Sequence, residues 1–209
     1  MNVLELPREF ACRHRVPVLK TVDAAIFTRT YFTRCLQCDF CHDQCCSYGV
    51  DVDLLSLTQI QRHAPELEAR TGISRTKWFK NEIYWDEDAP GGGYVRTRVK
   101  NGRCIFLNRS GRGCHIHAFC IEKGVDYHDL KSLTDCLFPL TWDGGMLCPS
   151  EEIEDGSLAC VNTGPSLYRG SRPEILYYFG AECVAALDEM ERLTSTSAIG
   201  HSALDIRGP

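Results

Sequence analysis

Cys35-Leu36-Gln37-Cys38-Asp39-Phe40-Cys41-His42-Asp43-Gln44-Cys45-Cys46 sets five cysteines into twelve residues, spaced C-x2-C-x2-C-x3-C-C. Thiols this close along a chain cannot all pair as disulfides without severe strain, because the bridge demands specific Cα and Cβ separations. They can converge on one metal centre if the backbone wraps around it. Five clustered thiols have no packing rationale of their own. The stretch therefore makes the chain a metal-binding domain, and the remaining sequence reads as its support.

The first four cysteines repeat the spacing by which bacterial ferredoxins hold a [4Fe–4S] cluster, where two residues between ligands let a tight loop aim successive sulfurs at one point. Two departures matter. Cys46 stands where that pattern has proline, and the run has no second copy. Structural zinc, held by four nitrogen or sulfur ligands, is the other cofactor the thiols admit. Thiolate-only ligation and the ferredoxin spacing favour an iron–sulfur cluster, while softness alone admits zinc equally. A thioredoxin-like dithiol would need its CxxC to open a helix after a strand, and no such pattern surrounds Cys35 or Cys38.

The chain has 209 residues and thirteen cysteines. An odd count does not suit a disulfide framework. Residues 1–20 are polar, broken by Pro7 and Pro17, and lack the apolar core of a secretory signal. A cytoplasmic, reducing location is the expectation. No apolar run is long enough for a bilayer, so no membrane is expected. The net charge of −5 argues against nucleic acid as a partner. The partners the sequence does imply are metal ions or an Fe–S cluster.

Residues 1–20 read as an irregular arm, and Cys12 as a small buried residue. Asp53 reads as the N-cap of an amphipathic helix over 53–63, followed by a second helical piece from Glu66 that Gly72 ends. Ile83-Tyr84-Trp85 are β-formers. Asn101-Gly102 signals a type I′ hairpin between Tyr94–Val99 and Arg103–Leu107, with Val99 opposite Cys104. That pairing puts Cys104 on one face with Thr97. Asn108–Gly113 is a basic loop. Asp143-Gly144-Gly145 turns a second hairpin that ends in Cys148. Residues 149–170 read as loop, and Cys160 as structural. Ser171 and Glu174 form a capping box for a helix over 172–193, whose stripe includes Cys183. Asp51, Asp53, Asp86, Glu87 and Asp88 read as solvated.

Downstream, Cys104, Cys114, Cys136 and Cys148 stand at ordered positions. With Cys35, Cys38, Cys41, Cys45 and Cys46 they make nine candidate metal ligands, more than one mononuclear site needs. They suit two sites, or one cluster with supporting thiols. The adjacent Cys45 and Cys46 are expected to point to different centres. In an extended Cys114-His115-Ile116-His117, the histidines would share the face opposite Cys114. His42 is a further imidazole inside the run, and His63 and His128 read as solvated. No Ser-His-Asp arrangement or carboxylate pair stands out.

The order of these pieces resembles the YkgJ-like cysteine-cluster family of zinc- or iron-chelating proteins. Cys38, Cys41 and Cys45-Cys46 look like its cluster. Cys104-Ile105-Phe106-Leu107 and Cys114-His115-Ile116-His117 look like its two strands, and Cys136-Leu137-Phe138-Pro139 like its last segment. The resemblance covers residues 35–148 and implies Cys41, Cys45, Cys46, Cys104, Cys114 and Cys136 as ligands. The extra cysteine at the head of the run, Cys35, departs from it.

The expectation is thus a small α+β cysteine-rich domain over residues 1–193, with short β-hairpins, irregular ligand loops and two main helices. Its metal-binding core is residues 35–148, and residues 194–209 form a flexible tail. Its expected function is to hold an iron–sulfur cluster for electron transfer or stability. The alternatives are a zinc-stabilised interaction module and a metal- or cluster-dependent enzyme with an open coordination position.

Overall fold

The computed structural model describes residues 1–34 and 37–202, the last six as backbone alone. In chain order, β1 (Val3–Ala11), β2 (Val18–Asp23), α1 (Ala25–Thr28) and β3 (Thr30–Tyr31) lead into the cysteine run. After it come β4 (Asp51–Asp53), α2 (Leu54–Arg62), α3 (Ala64–Thr71), β5 (Tyr84–Trp85), β6 (Gly93–Arg96), β7 (Val99–Lys100) and β8 (Arg103–Cys104). The chain continues through α4 (His115–Lys123), α5 (Leu133–Leu137), β9 (Leu140–Asp143), β10 (Met146–Pro149), α6 (Glu151–Glu154), β11 (Val161–Ser166) and α7 (Leu167–Ser202). The α+β class is as expected, with small sheets rather than one large one.

Residues 1–20 are not an irregular arm. β1 and β2 pair antiparallel and form half of a four-stranded sheet of order β1-β2-β10-β9. In β1 the apolar Leu6 and Phe10 are buried and Leu4 half-buried, at alternate positions broken by a register shift against β2 between Glu5 and Phe10. Pro7 and Arg8 interrupt that alternation in the sequence, which is why the period of two is hard to see.

Two hydrophobic cores result. The first gathers this sheet, α1, α5 and α7 around Leu19, Val22, Ile26, Tyr168 and Leu187. The second gathers β4, β6, α2, α3 and α4 around Val52, Ile60, Leu67, Trp78 and Phe106. Trp78 is fully buried and its indole N–H donates to the Ile73 carbonyl at 2.9 Å, so its polar edge is satisfied. Tyr127 packs against both cores.

Several local expectations are met. Asp53 caps α2, its Oδ1 accepting from Ser56 N at 2.8 Å. Gly72 ends α3 as expected, in the left-handed conformation that costs glycine little, and Gly124 ends α4 in the same way. Val99 faces Cys104 across a turn in which Asn101 and Gly102 both have positive φ, as a type I′ turn requires. The second hairpin pairs Cys148 with Thr141.

Others are corrected. Asp53 is buried rather than solvated, because its other carboxylate oxygen also accepts from Leu133 N at 3.2 Å. Residues 149–170 contain α6 and β11. α7 starts before the expected capping box: Ser166 Oγ accepts from Arg169 N at 3.2 Å, and Ser171 is buried within the helix. The helical path breaks at Gly180 (φ 83°, ψ 173°), a conformation open to glycine alone. α7 then runs on to Ser202, beyond the expected boundary at 193, and residues 203–209 of the expected tail lie outside the described residues. Among the described residues, no helix is long and apolar enough to cross a membrane.

Candidate metal centre

Strand pairing far along the chain builds the centre. β3 runs directly towards the cysteine run, and β11 pairs with it antiparallel, Val161 opposite Tyr31. Phe32 N donates to the Cys160 carbonyl at 3.1 Å, which fixes Cys160 beside the start of the run. The sulfurs of Cys38, Cys41 and Cys160 consequently all lie within 4.8 Å of one another, and all three residues are buried. They are the one such group of metal-ligating atoms among the described residues. Cys160, read as structural in the sequence, is the candidate ligand that reading missed. It stands alone in a polar stretch, and only its pairing with a strand some 130 residues earlier reveals its place.

The Sγ atoms of Cys38 and Cys160 are 3.7 Å apart. That is far beyond the roughly 2.05 Å of a disulfide. It is close to the edge of a tetrahedron of thiolates about one zinc ion, roughly 3.8 Å for Zn–S bonds of about 2.3 Å. No disulfide joins any of the described cysteines.

Burial governs the thiols. Although burial opposes it, hydrogen bonds from the Cys41 side chain, the Phe40 and Cys41 backbone and the Cys160 thiol bring Cys38 below the ordinary thiol range. Burial, reinforced by Cys38, pushes Cys41 and Cys160 upward. Cys38 is thus the readiest of the three to become a thiolate. His42 and Asp43 both take positive φ, turning the backbone sharply after Cys41. His42 is exposed and Asp43 buried, so the run's histidine faces away.

The other expected ligands line two adjoining cavities. A space of about 320 Å³ has Cys41, Cys45, Cys46, Cys114, Cys136 and Cys160 on its wall. A second, of about 560 Å³, is lined by Cys45, Cys46, Cys104, Cys114 and Cys148. Among the described residues, these sulfurs form no second group within 4.8 Å. Cys45 packs against the first core and Cys46 against the second, so the adjacent pair straddles the seam between them. Cys35 lies outside the described residues.

Cys114-His115-Ile116-His117 is not a strand. Cys114 is the N-cap of α4, and a helical spacing of three places His117 on its side. Both line the smaller cavity. The His117 Nδ1 is buried without a partner, and burial followed by the Lys131 charge lowers the imidazole's pKa, leaving it neutral. Burial also pushes the Cys114 and Cys136 thiols to about 12. Lys131, which lines both cavities, keeps its charge despite burial because the Asp135 carboxylate stands beside it. Its Nζ is 3.4 Å from Asp135 Oδ2.

Cys12 and Cys183 are buried in the first core, as expected of structural thiols. Cys12→Ser and Cys183→Ser are therefore expected to leave metal stoichiometry unchanged while lowering stability by about 1–3 kcal/mol, the cost of an unsatisfied buried hydroxyl. Metal analysis alongside urea unfolding checks both parts.

His128 is not solvated. Its Nδ1 lies 2.5 Å from Asp126 Oδ1 and its Nε2 2.8 Å from Glu174 Oε2. Its ring stacks on Tyr177 with centroids 3.6 Å apart and on Tyr127 at 4.0 Å. Tyr127 Oη donates to the remaining Glu174 oxygen at 2.6 Å. This clasp ties the segment after α4 to α7 at the edge of the smaller cavity, which Tyr127 and Glu174 help line.

Comparison of the chain with protein-family models, with curated proteins and with solved structures finds no match.

Proposed function

We propose that this chain is a metal-binding protein whose primary centre is a single ion held by Cys38, Cys41 and Cys160, zinc being the ion the geometry supports best, with a fold-stabilising role. The observation that carries this reading is the 3.7 Å separation of the Cys38 and Cys160 sulfurs within a group spanning no more than 4.8 Å. Thiolates on separate irons of a [4Fe–4S] cube stand farther apart, roughly 6 Å, because each extends outward from a different metal. Three sulfurs this close fit one ion. The motif order that resembles the YkgJ-like family supports zinc or iron chelation by the same run.

The iron–sulfur reading is supported by a different observation. The smaller cavity has Cys45, Cys46, Cys114 and Cys136 on its wall, and among the described residues they form no group within 4.8 Å of one another. Lys131 would set a positive charge beside thiolates there. In this reading these four residues hold the cluster, and His117 stands by as an imidazole donor.

Anaerobic purification followed by metal and sulfide analysis and an absorption spectrum tests both readings. A colourless protein with stoichiometric zinc is the expected result. A broad band at about 400 nm with acid-labile sulfide assigns an iron–sulfur cluster instead. Protein with neither metal overturns the proposal.

A further inference from the structure

The basic loop between β8 and α4 contains a residue that the ligand set does not account for. Asn108 N donates to the Gly113 carbonyl at 2.9 Å, closing the loop, and Arg112 reaches from it across the seam between the cores. Its Nη2 lies 3.5 Å from Cys41 Sγ and 3.1 Å from Asp43 Oδ1. The contact to Asp43 is an ion pair without hydrogen-bond alignment, so Asp43 Oδ1 has no hydrogen-bond partner. The directed N–H bond goes to sulfur. Asp43 is buried, with 7% of its side chain exposed, and the guanidinium is about one-third exposed. One cation thus faces a buried carboxylate and a prospective metal thiolate.

We propose that Arg112 is a positioning residue of the Cys38–Cys41–Cys160 centre, donating an N–H···S bond to the Cys41 thiolate and thereby setting the metal affinity and the electron density of that ligand. The proposal rests on the single-ion reading of the centre. A guanidinium suits the place because its planar fork reaches sulfur and carboxylate together, which an ammonium does less well. A charge-assisted bond to a ligating sulfur lowers the energy of its lone pairs and offsets the negative charge that three thiolates leave on a divalent ion. Outer partners of metal ligands typically contribute about 10–100-fold in affinity. Arg109, in the same loop, donates to the Lys100 carbonyl at 2.8 Å and bonds to no thiol among the described residues, so it supplies a control of equal charge.

The experiment compares wild type, Arg112→Gln, Arg112→Lys and Arg109→Gln as full-length protein, each checked for folding by circular dichroism. Zn(II) affinity is measured by chelator competition. Co(II) loading gives the energy of the sulfur-to-metal charge-transfer band. Arg112→Gln is expected to bind Zn(II) about 10–100-fold more weakly. Its Co(II) band should move to lower energy, because the sulfur lone pairs rise when the donor is removed. Arg112→Lys should recover part of the affinity but still show a shifted band, and Arg109→Gln should match wild type in both. An unchanged band and affinity in Arg112→Gln overturn the proposal. So does an equal loss in Arg109→Gln, which would reduce the effect to general electrostatics. If Arg112→Gln does not fold, an unshifted band in Arg112→Lys overturns it. A wild type that takes up neither ion removes the single-ion reading itself, whereas loaded wild type with an indifferent Arg112→Gln removes only this proposal.

Discussion

Cys160→Ser is expected to abolish stoichiometric metal binding and to destabilise the fold by several kcal/mol. Structural zinc contributes on the order of 10–16 kcal/mol of apparent binding free energy in small zinc-dependent peptides, and that energy is folding energy. Cys160 supplies one of three sulfurs in the group and is held in place by its own carbonyl's bond from Phe32. A serine oxygen is a poor substitute for a soft thiolate. Metal content after purification and the midpoint of urea unfolding are the measurements. Addition of a strong chelator to wild type should reproduce the same loss. A variant with full metal content and an unchanged midpoint would move the centre elsewhere.

His128→Ala is expected to destabilise the protein by about 2–4 kcal/mol, somewhat less than a fully buried pair because Asp126 is half exposed. The substitution leaves the Glu174 carboxylate facing Asp126 with no cation between them and opens a gap between two stacked tyrosines. The same clasp gives stability a pH dependence. Burial opposes charging of His128, but its bonds to Glu174 and Asp126 outweigh burial and raise its pKa. Its contribution is therefore complete below about 6.5, the ordinary histidine value, and is lost as pH rises through the higher folded value. Asp126, lowered chiefly through His128 against the effect of burial, contributes in the opposite sense and loses its share under acid conditions. Wild type should lose stability as pH climbs above about 6.5, and His128→Ala should flatten that slope. Parallel slopes in the two proteins would exclude the clasp as its source.

The sequence revealed what local chemistry determines. Turn residues placed both hairpins and the facing of Val99 and Cys104. Asp53 as a cap and Gly72 as a helix end followed from backbone conformations that few residues favour. The cysteine run pointed to a metal through its density and spacing, and the structure brings two of its thiols, Cys38 and Cys41, into a group that could hold one. What stayed hidden depended on partners far away. β1 is a strand because β2 and the core beneath give Leu6 and Phe10 somewhere to go, despite Pro7 and Arg8 between them. Cys114 and His117 share a side because α4 forms there, and a motif read as strand predicts the reverse. Cys160 reaches the centre through a two-strand sheet whose members carry no mutual signal in the sequence. The corrected position of His128 likewise depends on Glu174 and Tyr177, brought to it by α7.

Cys38 and Cys160 are 122 residues apart along the chain, yet their sulfurs touch. A ribosome adding about 5–20 residues each second would leave the first thiols waiting on the order of ten seconds for the last one. During that interval Cys38 and Cys41 are newly made, incompletely sheltered and open to oxidants or to an unsuitable ion. The vulnerable moment in the life of this protein is thus its birth, before the late strand arrives to close the ring.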